Sequence, residues 1–329
     1  MKVQLRISAL IAISAVLFTA CKEEKKGLDL EPIPASFLGL GEDLPHEQKV
    51  LLSQDVNFLK DNDHTPPAEI WIATKGSEKL AAANRKNLID EAKRLLGVQS
   101  FSGAELYQWL QDRIGYVVDQ SYDLRDRNNY VFLGPHQFEN PSICPGCWDA
   151  APMGFTFNAG GAYVVMSNVG GSFYLTGKMN RRLVGARIPG HGVVPVSSFR
   201  TGILRVGPGL FKYEGKDPRS VVNKINRLAT LFHEARHSDG NSEHIGFPHA
   251  VCPRSYPGFA GTEACEDTLN GSYTIGAVAE QVMTEHCFHS GQCDRGDANY
   301  LRADYLDSFR RVLDGTTGEL DPKPEGQRQ

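Results

Sequence analysis

The chain has 329 residues, with 35 basic and 39 acidic side chains and a formal net charge of −4. This balance gives no electrostatic basis for binding nucleic acid, which proteins attract with clustered Lys and Arg. With 41% apolar residues, the composition is that of an ordinary globular protein. The length suffices for one large domain or two modest ones.

The first residues have the pattern of an export signal. Two basic residues, Lys2 and Arg6, precede an apolar run over 7–18, and small residues follow it up to Cys21. The run is too short for a stable membrane span, with a short transmembrane anchor as the alternative interpretation. Its ending, LFTAC, resembles the lipobox of bacterial lipoproteins. The resemblance implies a signal peptide over 1–20, a lipid anchor on Cys21 and export to the cell envelope. Lys22, in place of the aspartate that favours inner-membrane retention, implies the outer membrane.

A charged, Pro-containing stretch over 21–41 predicts a flexible tether without a core. From 42 to 125 the apolar spacing predicts a helical lead region. One helix, SEKLAAANRKNLIDEAKRLLG, begins at Ser77 and ends at Gly97. Another, SGAELYQWLQDRIGYVV, places Leu106, Leu110 and Ile114 on one buried stripe.

Short apolar runs between glycines then predict strands, namely YVFLG, GFTF, AYVVMS, SFYLTG, RRLVGARI and GILRVG. Helices return at Asp217 with DPRSVVNKINRLATLFHEARHSD, which has a Pro-containing start and a glycine stop. Its residues Val221, Ile225, Leu228 and Phe232 form a predicted apolar stripe on one face. A last helix follows over 297–315. The order predicts an α+β fold: a helical N-terminal lead, a mixed or antiparallel sheet and a helical C-terminal part.

Six cysteines remain beyond Cys21, an even number that predicts three disulfides in an oxidising compartment. Pairing by proximity gives Cys144–Cys147, Cys252–Cys265 and Cys287–Cys293. The CPGC sequence at 144–147 has two other interpretations, a redox pair or half of a zinc knuckle. We favour the structural bond, because no second C-x-x-C completes a knuckle.

The stretch LATLFHEARHSDG carries the chemistry. A helix places His233 and His237 on one face, where two imidazoles can bind one metal ion. Glu234 is too close in sequence to His233 to be a good ligand and is placed to act as a general base. Asp239, after the second histidine, either orients an imidazole or helps to end the helix. The alternative interpretation of this stretch is a structural or degenerate metal site. His286 and His289 resemble a second metal-binding tract, but we interpret them as surface histidines.

The H-E-x-x-H pattern resembles that of the zincin metalloproteases, which place an edge strand just before this helix. RTGILRVGPGLF occupies the corresponding position. A catalytic zinc needs a third protein ligand. In the metzincin pattern that ligand would fall on Glu243, with His244 one step late. His249 is within reach by loop length.

We place Glu280 first among these candidates. With Tyr273 seven residues earlier on the same helix face, it resembles the third ligand of gluzincins of the lethal-factor type. Small residues such as Gly276 would let this helix pack close to the histidine helix. The resemblance implies zinc at His233, His237 and Glu280, with Tyr273 stabilising an oxyanion, in a zincin-like catalytic domain over 126–329. The expected function is that of a lipid-anchored zinc peptidase acting on peptides or proteins. A non-enzymatic surface lipoprotein is the alternative.

Overall fold

The structure is a computed structural model, and all the residues that it describes belong to one compact unit. The described residues are 38–66, 85–122, 130–132, 171–173, 184–196, 202–211, 217–237, 249–256 and 258–313. Several predictions fall outside them. These include the signal peptide, the anchor at Cys21, the helix start at Ser77, the Cys144–Cys147 pair, the strands GFTF and AYVVMS, and residues Asp239, Glu243 and His244.

The described elements form an α+β fold, as the sequence predicts. The helices are α1 (His46–Asp61), α2 (Arg85–Leu96), α3 (Gly103–Gln111), α4 (Val221–Arg236), α5 (Ser272–His289) and α6 (Arg295–Arg310). The strands are β1 (Gly39–Leu40), β2 (Ile114–Val118), β3 (Tyr130–Phe132), β4 (Gly171–Phe173), β5 (Val184–Ile188), β6 (Gly192–Val196), β7 (Gly202–Arg205), β8 (Ala250–Val251) and β9 (Glu263–Cys265). A 3₁₀ turn, Pro208–Phe211, links β7 towards α4. No helix among the described residues is long and apolar enough to cross a membrane.

The largest sheet among the described residues has the order β1-β2-β7-β4. Strand β2 is parallel to both β1 and β7, and β4 pairs antiparallel with β7. The strand before the histidine helix, β7, therefore lies inside this sheet, and β4 forms its edge. This corrects the expectation of an edge strand at RTGILRVGPGLF. A second, antiparallel sheet has the order β3-β5-β6.

The predicted lead region is part of the same structure as the rest of the chain. The helix predicted to include Ile114 ends at Gln111, and Ile114 instead begins β2, which pairs with β7. Apolar side chains of α1 and α3 join those of α4 and α5 in one buried core. The boundary placed at residue 125 therefore does not separate two cores.

Helix α4 begins where the sequence supplies a cap. The Ser220 hydroxyl accepts a hydrogen bond from the backbone N–H of Asn223 at 3.4 Å. In the predicted stripe, Ile225, Leu228 and Phe232 are fully buried and Val221 is partly buried, which fixes the helix against the core. About 25 cal/mol per Å² of buried apolar surface makes such a stripe the main source of helix stability.

Helix α5 packs closely on α4 at Gly276, as predicted from its small residues. A Cβ added at Gly276 would lie 3.1 Å from the Ala229 carbonyl oxygen and 3.2 Å from the His233 Cβ. Larger side chains would push the helices apart. The glycine therefore sets the distance between α5 and the histidine helix.

Two of the three predicted disulfides lie within the described residues, and both are confirmed. Cys252 is bonded to Cys265, and Cys287 to Cys293. The first joins the segments of the β8–β9 hairpin, and the second ties the last turn of α5 to the loop before α6.

Candidate metal site

The end of α4 presents the two motif histidines. His233 lies in the last turn, and His237 is the C-terminal cap residue, with its ring 5.2 Å from that of His233 between centroids. His237 is 4% exposed, and the His233 side chain is 15% exposed. Both imidazoles therefore face a partly shielded position at the end of the helix.

His249 completes a group of three. Ligand nitrogens of His233, His237 and His249 all lie within 4.8 Å of one another. The Nε2 atoms of His233 and His249 are 3.3 Å apart. Two nitrogens bound to one tetrahedral zinc at roughly 2.0–2.1 Å would be about 3.3–3.4 Å apart. The three histidines could therefore hold a metal ion.

A short hairpin delivers His249 to the pair. The residue directly precedes β8, whose Ala250 pairs with Cys265 of β9. The Cys252–Cys265 disulfide closes this hairpin, and the Cys252 N–H donates to the Thr262 carbonyl at 2.8 Å. A covalently closed hairpin limits the movement of the neighbouring histidine, which preorganises the third donor.

The surroundings of His233 and His249 favour the neutral imidazole, the form that binds a metal. Burial lowers the pKa of His233 well below its usual value, and the charges of the other two histidines and Arg311 lower it further. A hydrogen bond to the Ser272 backbone opposes this shift and orients the ring. Burial and the Arg311 charge lower the pKa of His249 to about 4.

Glu234 and Tyr273 both lie next to the histidines. The Glu234 carboxylate is 3% exposed, and its Oε1 is 3.9 Å from the His233 Nε2. The Tyr273 ring lies 4.5 Å from the His233 ring and 4.7 Å from the His249 ring between centroids. The structure therefore brings together four of the five residues predicted for the catalytic centre, namely His233, Glu234, His237 and Tyr273.

Glu280 is the exception, and His249 takes its place in the group. Tyr273 of α5 contacts His233 of α4. Gly276, one turn later on α5, lies next to Ala229, one turn earlier on α4. Glu280, one turn further along α5, is not a member of the group. Burial, and then the Asp304 charge, raises the pKa of Glu280 well above its usual value. Sequence spacing did not specify the helix crossing, and the structure groups His249, not Glu280, with the pair.

Glu266, which the sequence analysis missed, fixes the start of α5. Its buried carboxylate accepts hydrogen bonds from the backbone N–H of Tyr273 and, at 3.3 Å, of Thr274. Burial raises its pKa to about 7, against these hydrogen bonds and the Arg236 charge, which lower it. The Glu266 carboxylate thus caps the N-terminus of α5 in place of an N-cap side chain next to the helix, and it positions Tyr273.

Arg311, just after α6, is a second residue that the sequence analysis missed. Its guanidinium carbon lies 4.7 Å from the Tyr273 ring centroid and 4.1 Å from that of Phe259. Its backbone carbonyl accepts the Glu266 N–H at 2.9 Å. No local pattern signals this contact, because the end of α6 must first return to the start of α5.

No protein-family model, curated protein or solved structure that was compared with the chain matches it. The chemistry of the donors is therefore the guide to the ion. Three neutral imidazoles suit zinc, copper, iron or nickel, and they are poor ligands for magnesium or calcium. Within the described residues, this is the single group of three metal-binding side chains.

Proposed function

We propose that the chain is a zinc-dependent peptidase of the cell envelope. The observation that carries the proposal is the convergence of His249 on the H-E-x-x-H pair, with Glu234 and Tyr273 beside it. A structural clip would need the ligands alone. A buried carboxylate and a tyrosine at the same point are groups that hydrolysis requires.

A zinc ion held by His233, His237 and His249 would supply a Lewis acid that polarises a carbonyl and acidifies water. Glu234 would accept a proton from the attacking water and pass it to the leaving amine. Its burial shields that transfer from bulk solvent. The Tyr273 hydroxyl would donate a hydrogen bond to the carbonyl oxygen as negative charge develops there. The hydrogen bond between the Ser272 backbone and His233 would keep the His233 ring in a fixed orientation.

Two substitutions test which residue is the third ligand. His249→Ala is expected to reduce zinc binding by at least about a hundredfold, because even residues that only orient metal ligands are worth roughly 10–100-fold. Glu280→Gln, which keeps the size of the side chain, is expected to leave zinc content near one ion per chain. Metal analysis after dialysis measures both. Zinc loss in the glutamine variant with retention in the alanine variant would assign Glu280 instead.

Glu234→Gln tests the catalytic role. The purified variant should retain stoichiometric zinc and lose about 10²–10⁴-fold in the hydrolysis of casein or peptidoglycan peptides. The matched control is Glu263→Gln, an exposed acid on β9. Absence of zinc from the wild-type protein, or full activity of Glu234→Gln, would favour the non-enzymatic lipoprotein.

The envelope location is part of the proposal and rests on the LFTAC sequence ending at Cys21. Cys21→Ser should abolish incorporation of labelled palmitate and release the protein from the membrane fraction of the expressing bacterium. Continued labelling of the serine variant would contradict the anchor without bearing on the metal site.

A further inference from the structure

Arg311 places a positive charge beside the candidate metal site. Its guanidinium lies over the face of Tyr273, whose ring contacts both His233 and His249. The Arg311 side chain is 17% exposed, so solvent screens it less than a surface arginine.

The known partners of Arg311 leave part of its hydrogen-bonding capacity open. One terminal nitrogen donates to Asp307 at 3.0 Å, and the Asp307 side chain is 45% exposed. A hydrogen bond also joins Arg311 and the Tyr273 hydroxyl. Among the described residues, the buried Nε atom has no hydrogen-bond partner. A guanidinium carries five N–H donors in a planar fork that suits a carboxylate.

A fixed cation at this position is unfavourable for holding a metal ion, because it repels the ion as it repels a protonated histidine. The same charge favours an anion that lies between Arg311 and the three histidines. Packing alone would not need this charge. Phe259 and Tyr273 offer ring faces that an apolar side chain could also cover.

We propose that Arg311 is a specificity-determining residue that binds a carboxylate of the substrate next to the bond to be cleaved. The substrate class is then a peptide with a free carboxylate close to the scissile bond. The carboxylate belongs either to the C-terminus or to an acidic side chain. This inference rests on the proposed peptidase function. It adds a prediction about substrate charge that the function alone does not make.

Binding to a protein that cannot turn over substrate tests the inference. The zinc-loaded Glu234→Gln protein is titrated calorimetrically with three peptides: acetyl-Ala-Ala, its C-terminal amide, and acetyl-Ala-Glu amide. A charge-assisted hydrogen bond is worth about 1.5–3 kcal/mol, or roughly tenfold or more in affinity. We expect that advantage for acetyl-Ala-Ala over its amide if the C-terminal carboxylate is bound. The same advantage for acetyl-Ala-Glu amide would assign the acidic side chain.

Adding Arg311→Gln should abolish the advantage, and Arg311→Lys, which keeps the charge but not the fork, should retain part of it. The matched control is Arg310→Gln, because Arg310 is the adjacent, exposed arginine. It should leave the advantage unchanged. The lysine variant also keeps the test decisive if the glutamine variant fails to fold.

Equal affinity for all three peptides, no measurable binding of any, or an advantage that survives Arg311→Gln would overturn the inference. These failures differ from failure of the proposed function. A wild-type protein that hydrolyses acid and amide peptides equally remains a zinc peptidase without a carboxylate subsite. A wild-type protein without zinc or hydrolysis loses both.

Discussion

Arg227 and Arg311 lie in two regions of the molecule that differ in how many hydrogen-bond partners they give to the guanidinium group. Arg227 of α4 is 3% exposed, and its Nε and a terminal nitrogen donate to the two Asp55 oxygens at 2.6 and 2.8 Å. The same terminal nitrogen also reaches the Pro218 carbonyl at 2.9 Å. Arg311 forms an ion pair with one partly exposed carboxylate, and its Nε has no hydrogen-bond partner in the part of the chain that the structure describes.

This difference separates a structural charge from one available to a ligand. The Asp55–Arg227 pair joins α1 to α4 and satisfies its own hydrogen bonds, so a ligand could add nothing there. Around the three histidines, several buried polar side chains from different elements converge on one point. Buried polar groups are normally satisfied within the fold, and departures from that rule concentrate at functional sites.

Breaking the closed pair should have the largest effect on stability. Asp55→Ala would leave the Arg227 charge buried without its partner, which typically costs about 3–5 kcal/mol. Chemical denaturation measures the change in the free energy of unfolding. Asp307→Ala, which removes the exposed partner of Arg311, should cost less than about 1 kcal/mol.

A second substitution keeps this prediction specific to charge. Replacing both members, as in Asp55→Leu with Arg227→Met, should recover most of the lost stability, because two apolar side chains of similar volume need no partner. If Asp55→Ala proved as mild as Asp307→Ala, the contrast between the two arginines would not hold.

The disulfides offer a smaller and more selective test. Replacing Cys252 and Cys265 by serine opens a loop of 13 residues and should cost about 3 kcal/mol. It should also weaken zinc binding, since His249 lies three residues before Cys252. Replacing Cys287 and Cys293, separated by 6 residues, should cost about 2 kcal/mol and leave zinc affinity unchanged. Equal zinc affinity in both variants would show that the hairpin does not position His249.

Local signals predicted the parts of the site that lie on one element. Helix α4, its stripe of Ile225, Leu228 and Phe232, and the face shared by His233 and His237 follow from helical periodicity. The close approach at Gly276 follows from residue size. The proximity pairing of Cys252 with Cys265 was also correct.

Contacts between elements could not be predicted in the same way. Whether Glu280 or His249 approaches the pair depends on where α5 crosses α4 and on a hairpin that the cysteines close. Ile114 belongs to a strand instead of a helix because β7 offers it a partner across the sheet. Glu266 and Arg311 meet near Tyr273 through the return of α6, which no pattern in the sequence specifies.

The smallest predicted effect extends the comparison to histidines. His64 is fully buried, and its Nε2 lies 2.9 Å from the Leu59 carbonyl oxygen, so it is a structural histidine unlike those of the site. Burial, and then the His286 charge, lowers its pKa to about 4. In the unfolded chain the pKa is about 6.5. Between these values the unfolded chain binds a proton that the native protein does not.

The stability contributed by neutral His64 is therefore present above about pH 6.5 and is lost as the pH falls towards 4. The free energy of unfolding should fall by about 2 kcal/mol more between pH 7 and pH 5 in the wild type than in His64→Gln. Denaturation at several pH values measures the difference. His46→Gln, at an exposed position on α1, should follow the wild type. The glutamine at position 64 keeps a donor for the Leu59 carbonyl. A His64→Gln protein with the full wild-type pH dependence would show that His64 does not contribute to the acid sensitivity.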